Sequence, residues 1–246
     1  MTLVVQAASD QGLKRPHNED TFACWSSDDP RDRDRGALLV VADGMGGSRA
    51  GEVASKLAVE SVLRTYREGR DGVLADLLSS IENANRTVHE ASLARPELRG
   101  MGTTLTAAVV REREVYVGHV GDSRAYLVSG GGIRQLTRDH SLVAQLVESR
   151  QITPEQARTD PRRNVVTRSV GVSGSVEIDA ERFEGALQDG DTVLLCTDGL
   201  HGLVTDEELA RAASGADLRR ACDDLIALAK QRGGHDNITV ILARVG

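Results

Sequence analysis

Ala37-Leu38-Leu39-Val40-Val41-Ala42 is apolar at every position, without the polar alternation of a half-solvated strand, so it reads as a strand buried on both faces. Such a strand needs cover on each side, which restricts the chain to sheets packed inside other layers. The run ends in Asp43-Gly44. A second run, Val193-Leu194-Leu195-Cys196, ends in Thr197-Asp198-Gly199, and a glycine turn brings a third aspartate in Gly234-His235-Asp236-Asn237. A charge closing a buried strand needs a reason. If the three carboxylates stand roughly 5 Å apart, Coulomb's law at an effective dielectric near 20 gives about 3 kcal/mol of repulsion per pair. Three pairs come to roughly 10 kcal/mol, comparable to the stability of a whole domain. Either the aspartates take cations, or they are not neighbours and Asp-Gly merely marks turns after strands.

At 246 residues, with 40% hydrophobic and 27% charged content, the chain has the make-up of one globular domain spanning 1–246. A net charge of -7 argues against nucleic acid as a partner, because phosphate backbones require clustered Lys and Arg. No apolar run approaches the roughly 18 residues of a membrane span, and the first residues lack the charged start and apolar stretch of a signal peptide, so no membrane association is expected and the location is cytoplasmic. Cys24, Cys196 and Cys222 are odd in number and scattered, as reduced thiols rather than a disulfide framework.

Strand-like segments recur at 37–42, 103–110, 115–120, 124–128, 176–184, 192–197 and 238–245, and helical ones at 50–68, 71–94, 139–150, 206–213 and 217–231. Thr205-Asp206-Glu207-Glu208 has capping-box form, and Thr153-Pro154-Glu155-Gln156 combines an N-cap with proline at the first helical position. Segments 115–120 and 124–128, separated by Gly121-Asp122-Ser123, read as an antiparallel hairpin. Long helices beside antiparallel strands imply an α+β layered architecture.

Near the N-terminus, Arg15 precedes Glu19 and Asp20 by four and five positions. Arginine offers a planar donor fork suited to phosphate oxygens, and the two acids are hard ligands for Mg²⁺ or Mn²⁺; a polar surface turn is the plainer reading. In Asp43-Gly44-Met45-Gly46-Gly47 the glycines permit close backbone approach, and Gly44 could present its carbonyl to a metal.

Taken in order, Arg15-x-x-x-Glu19-Asp20, Asp43-Gly44-Met45-Gly46-Gly47, Gly102-Thr103-Thr104, Gly121-Asp122-Ser123-Arg124, Thr197-Asp198-Gly199 and Asp236-Asn237-Ile238-Thr239-Val240 resemble the metal-dependent serine/threonine protein phosphatases of type 2C, across nearly the whole chain. The resemblance implies a four-layer αββα sandwich, two central antiparallel β-sheets flanked by helices, with a flap near residues 141–170. It also implies two Mn²⁺ or Mg²⁺ ions. Asp43 would bridge both, Asp198 and Asp236 would complete one, and the Gly44 carbonyl would serve the other, which Glu19 would hold largely through water. Asp20 would support a metal-bound water, Arg15 would clamp the substrate phosphate, and Asn237 would brace the site. In the family's mechanism, hydroxide shared by the cations attacks phosphorus in line, without a covalent intermediate. Substrates would be phosphorylated Ser/Thr proteins, including a Ser/Thr kinase, and the protein would be a monomer.

Members from eukaryotes often carry a histidine after Asp-Gly, as proton donor to the leaving alkoxide, where this chain has Met45; bacterial members share Met-Gly-Gly. His17, His140 and His201 are candidate substitutes by their nearness to motifs, and a metal-bound water is another. In bacterial relatives an aspartate matching Asp122 joins the one matching Asp198 at a weaker third metal, against which stands a hairpin turn held by the Asp side chain. Arg162 and Arg163, in the flap, either meet a phosphopeptide or face water.

Other phosphate chemistries fit poorly. No cysteine is followed five residues later by an arginine, as a thiolate nucleophile beside a phosphate cradle requires. Asp189-Gly190-Asp191-Thr192-Val193 has the letters of an aspartyl-phosphate enzyme but precedes its strand. A silent signalling module that retains the fold is the alternative of another class, and loss of a bridging aspartate would favour it.

Overall fold

A computed structural model describes residues 2–27, 29, 35–46 and 50–246. In chain order the strands and helices are β1 (Leu3–Asp10), β2 (Asp20–Trp25), β3 (Ala37–Met45), α1 (Ala50–Glu68), α2 (Val73–Ala94), β4 (Gly102–Thr103), β5 (Leu105–Arg111), β6 (Glu114–Val120), β7 (Arg124–Ser129) and β8 (Gly132–Gln135). There follow α3 (Leu142–Glu148), α4 (Pro154–Thr159), β9 (Asp179–Phe183), β10 (Thr192–Cys196), α5 (Asp198–His201), α6 (Asp206–Ala213), α7 (Leu218–Gln231) and β11 (Ile238–Val245).

The strands form two sheets, ordered β1-β11-β10-β7-β8 and β2-β3-β5-β6-β9, with β4 added to β3. Their ladders are antiparallel. The period of two in β3 accounts for its unbroken apolar run. Leu38, Val40 and Ala42 point to α1 and α2, packing with Ala54, Val62 and Ile81, whereas Leu39 and Val41 point to the other sheet and meet Leu195 and Ile241. On the far side, Leu194, Val240 and Leu242 pack against Leu209 and Leu225 of α6 and α7. Full burial of each Leu or Val contributes about 2 kcal/mol, so the strand is held from both faces. This is the αββα sandwich expected from the resemblance.

The hairpin reading of 115–128 is wrong. β6 pairs with β5 and β9 in one sheet while β7 pairs with β10 and β8 in the other, so Gly121-Asp122-Ser123 is a crossing between sheets. Gly121 has φ +114°, and a Cβ there would stand 2.6 Å from Thr104. That close approach steers the chain out of the sheet it leaves. Strands β1 and β2 have no counterpart in the sequence reading. The segment 139–150 shortens to α3, because Ser141 caps it by accepting from Ala144 N–H, leaving Asp139 and His140 outside. Both capping boxes are present, Thr153 with Gln156 and Thr205 with Glu208. The flap segment carries α3 and α4, and its base is stitched by the pairs Ser141–Val166 and Thr103–Val170.

Candidate metal centre

Each acidic side chain is delivered by a different element to the same edge of the sandwich. Asp20 opens β2 and lies opposite Asp43 in the β2–β3 register. Asp198 opens α5, two residues after β10, and Asp236 precedes β11 by two. The main chain at Asp43 is clamped on both sides: its N–H donates to Thr104 Oγ1 at 2.9 Å, and its carbonyl accepts from Thr104 N–H at 2.9 Å and Thr103 Oγ1 at 2.8 Å. Gly44 has no room for a side chain, since a Cβ would stand 2.1 Å from the Gly51 carbonyl oxygen. At Gly199 the same Cβ would stand 2.0 Å from the Asn237 carbonyl oxygen, which ties α5 to the Asp236 loop. The glycine of each Asp-Gly pair is thus a close-packing requirement.

Asn237 acts as a three-point brace. Its Nδ2 donates to the carbonyls of Gln11 and His17, both at 2.9 Å, and its Oδ1 accepts from Glu19 N–H at 2.8 Å. The Arg15 to Asp20 segment is thereby fixed against the Asp236 loop. Arg15, half-exposed, donates to Asp236 Oδ2 at 2.7 Å, and Asp236 Oδ1 accepts from Asn237 N–H at 2.9 Å.

The electrostatics record how closely the acids gather. Burial, then Asp20, Asp198, Asp122 and Asp236, hold the Asp43 carboxyl well above the usual carboxylate range. Burial and then Asp236 push Asp198 up to about 6, opposed by Asp43 and Arg15. Asp20 is pushed up to about 7, chiefly by burial, although Thr239 and Thr197 hydroxyls donate to its Oδ2 at 2.7 and 2.9 Å. Asp122 is raised by burial and then by Asp198, and Glu19 by burial with Arg15 opposing. Among the described residues no three carboxylate, imidazole or thiolate groups already meet around one point as ligands.

The donor set nevertheless fits a hard divalent ion. Every group is an oxygen, the charges repel one another, and Asp20 Oδ1 and Asp198 Oδ1 are buried without a hydrogen-bond partner among the described residues. Buried acceptors of this kind are normally satisfied, so a cation is the natural counterpart.

Of the residues singled out from sequence, Arg15, Glu19, Asp20, Asp43, Asp122, Asp198, Asp236 and Asn237 come together. Gly44 lies beside them, its N–H donating to the Glu19 carbonyl at 3.1 Å, while Gly47 is outside the described residues. The histidines divide. His140 accepts from Gly121 N–H at Nδ1 and faces Asp179 and Arg168 with Nε2, which commits it to the base of the flap. His201 donates from Nε2 to the Asp122 carbonyl at 2.9 Å, and burial with the Arg124 charge pushes its pKa down to about 3. His17 lies two positions before Glu19, and its carbonyl accepts from Asn237 Nδ2 at 2.9 Å. Arg162 pairs with Asp160 on the flap surface. Arg163 lines a cavity of about 710 Å³ that runs from Asp122, Asp198 and Asp236 between α3–α4 and Leu203–Val204. Sequence reasoning gave no role to the Thr197 and Thr239 hydroxyls on Asp20 or to the His201 contact, which join residues far apart in the chain.

Residues 15–242 match the family model described as protein phosphatase 2C. The serine/threonine phosphatase stp of Listeria monocytogenes is 39% identical over 240 residues, covering 95% of this chain and 92% of that one. The crystal structure of the Mycobacterium tuberculosis serine/threonine phosphatase PstP/Ppp superposes with a TM-score of 0.89 at 36% identity, covering 100% of this chain and 99% of the other. The catalytic domain of the serine threonine protein phosphatase PstP in complex with two manganese ions gives 0.83 at 34% identity, covering 99% of both chains.

Proposed function

The chain belongs to the protein phosphatase 2C family, in its bacterial form, and we propose that its Asp43, Asp198 and Asp236 carboxylates equip it to hydrolyse phosphoserine and phosphothreonine in proteins at a binuclear Mn²⁺ or Mg²⁺ centre. The observation that carries this reading is the partly buried cluster around Asp43, whose four acidic neighbours converge from different elements.

Asp43 would be shared by the two ions, Asp198 and Asp236 would help to hold one of them, and the Gly44 carbonyl and Glu19 would serve the other. When bound, the cations supply Lewis-acid charge that acidifies water and offsets the charge gathering on the phosphoryl oxygens. Arg15 stands at the exposed rim on Asp236, so its guanidinium can turn to a phosphate without leaving the site. Asp20, held by two threonine hydroxyls, keeps its unpartnered oxygen for an attacking water. Met45 offers no dissociable proton, and His140 and the Nε2 of His201 are committed elsewhere, which leaves His17 or a water on the bound cations to protonate the leaving alkoxide.

The residues 1–246 act as one catalytic domain. Its substrates include a Ser/Thr kinase, because such kinases carry phosphorylated Ser and Thr themselves. Unpaired Cys24, Cys196 and Cys222 suit a reducing, cytoplasmic setting, and no described helix is long and apolar enough to cross a membrane. Exposed large apolar side chains such as Val4 on β1, Leu93 on α2 and Val165 in the flap lie far apart along the chain, which suits a monomer. Loss of a bridging carboxylate would favour a silent binding module, and Asp43, Asp198 and Asp236 are all present, which favours activity.

The test is release of phosphate from a phosphothreonine peptide by purified protein in millimolar Mn²⁺, with and without excess EDTA. Hydrolysis that EDTA abolishes and Mn²⁺ restores is expected. No hydrolysis, or hydrolysis indifferent to EDTA, contradicts the reading.

A further inference from the structure

Asp122 lies in a three-residue crossing between sheets, a poor platform for a carboxylate that must stay beside a repelling neighbour. The residues flanking it are fastened to the sheet it leaves and to the start of the flap. His140 N–H donates to the Gly121 carbonyl at 2.6 Å, and the Ser123 and Thr104 hydroxyls share a hydrogen bond of 2.8 Å. Asp122 itself is joined to a different element. His201 ends α5, the helix that Asp198 opens, and its Nε2 lies 2.9 Å from the Asp122 carbonyl oxygen. A carbonyl only accepts, so the ring proton sits on Nε2 and the imidazole bridges the two acid-bearing segments while neutral. Both acids line the cavity, and Asp198 Oδ1 is buried without a hydrogen-bond partner among the described residues.

We propose that His201 is a positioning residue: its Nε2–H strut from α5 to the Asp122 carbonyl holds the Asp122 carboxylate toward Asp198, so that in this chain the weaker third cation implied by the resemblance to bacterial relatives depends on an imidazole that is not itself a ligand. This rests on the function proposed above. A neutral strut suits the place, since a charged side chain would compete with the ion, whereas an imidazole supplies one directed donor and a rigid ring. Outer partners that orient a ligand typically change metal affinity by about 10- to 100-fold when removed.

The experiment is calorimetric titration of the full chain with Mn²⁺, using wild type, His201→Phe, His201→Gln and Asp122→Asn, with phosphothreonine-peptide hydrolysis measured alongside. Wild type is expected to bind two ions and then a weaker one. His201→Phe, which fills the space without a donor, should weaken that last ion at least about tenfold and leave the first two unchanged. Asp122→Asn should do the same. His201→Gln, whose Nε2 can reach the same carbonyl, should retain the weak ion within about threefold, which a merely space-filling role would not predict. If His201→Phe does not fold, His201→Asn, too short to span the gap, takes its place. A weak ion unchanged in the donor-less variant, lost in His201→Gln, or missing from wild type overturns the proposal. If wild type binds two ions and hydrolyses the peptide while the donor-less variant matches it, His201 alone is misassigned; if wild type does neither, the function falls as well.

Discussion

Asp43 is expensive to bury, and each neighbour raises the cost, which is why its role can be tested through stability as well as rate. Replacing it with Asn removes the charge but keeps the shape. The EDTA-treated Asp43→Asn variant should melt higher than EDTA-treated wild type, while its Mn²⁺-dependent rate falls by about a hundred- to a thousandfold, the scale of one strong electrostatic contribution to a transition state. A variant that melts lower and keeps its rate would mean that the carboxylate is structural. His17 can be separated from the other histidines by leaving group. His17→Gln should slow phosphothreonine-peptide hydrolysis by about 100-fold yet barely affect p-nitrophenyl phosphate, whose leaving group needs no proton; equal losses on both substrates would refute the donor role. The acids themselves were legible in the sequence because each closes an apolar strand or follows a glycine turn. The groups that hold them were not. Thr239 reaches Asp20 across 219 positions and His201 reaches Asp122 across 79, and no local pattern announces such a bond.

At the scale of elements, the sequence revealed most where burial is two-sided. β3 was visible because both of its faces meet apolar layers, and α7 because its inner face repeats at helical spacing. β1 and β2 escaped notice because they are edge strands of mixed burial, in which alternation is blurred by residues such as Phe22 and Cys24. The false hairpin has a related cause: a three-residue glycine turn between apolar runs looks the same whether the chain returns to its own sheet or crosses to the other. Only packing on Thr104 distinguishes them. That packing makes Gly121 a sensitive position. Gly121→Ala must adopt φ +114° with its Cβ 2.6 Å from Thr104, and we expect a loss of about 2 to 4 kcal/mol in urea unfolding. A loss below about 0.5 kcal/mol would show that the crossing is slack.

Across the whole molecule, the carboxylate cluster ties stability to pH and to cations. Asp20 and Asp198 have folded pKa values of about 7 and about 6 against an ordinary 3.8, so the metal-free fold binds more protons than the unfolded chain between these limits. Their stabilising protonation is complete below about pH 4 and lost as pH rises through 6 to 7, an effect on the order of 4 kcal/mol for Asp20 alone. His119 works in the other direction: burial and then His140 lower it from 6.5 to about 4, so acid below pH 6.5 costs stability as the ring is forced to charge. EDTA-treated protein should therefore melt highest in mildly acidic buffer and lower at pH 8, and Mn²⁺ at about 100 times its dissociation constant should restore about 3 kcal/mol at pH 8. A melting temperature flat from pH 5 to 8 and indifferent to Mn²⁺ would contradict this. The central claim, that Asp43 stands between two cations with Asp198 and Asp236 on one of them, is tested most directly by anomalous scattering from crystals grown with Mn²⁺. Two peaks flanking Asp43, one within ligand distance of Asp198 and Asp236, are predicted; peaks elsewhere, or none at Asp43, would contradict the account.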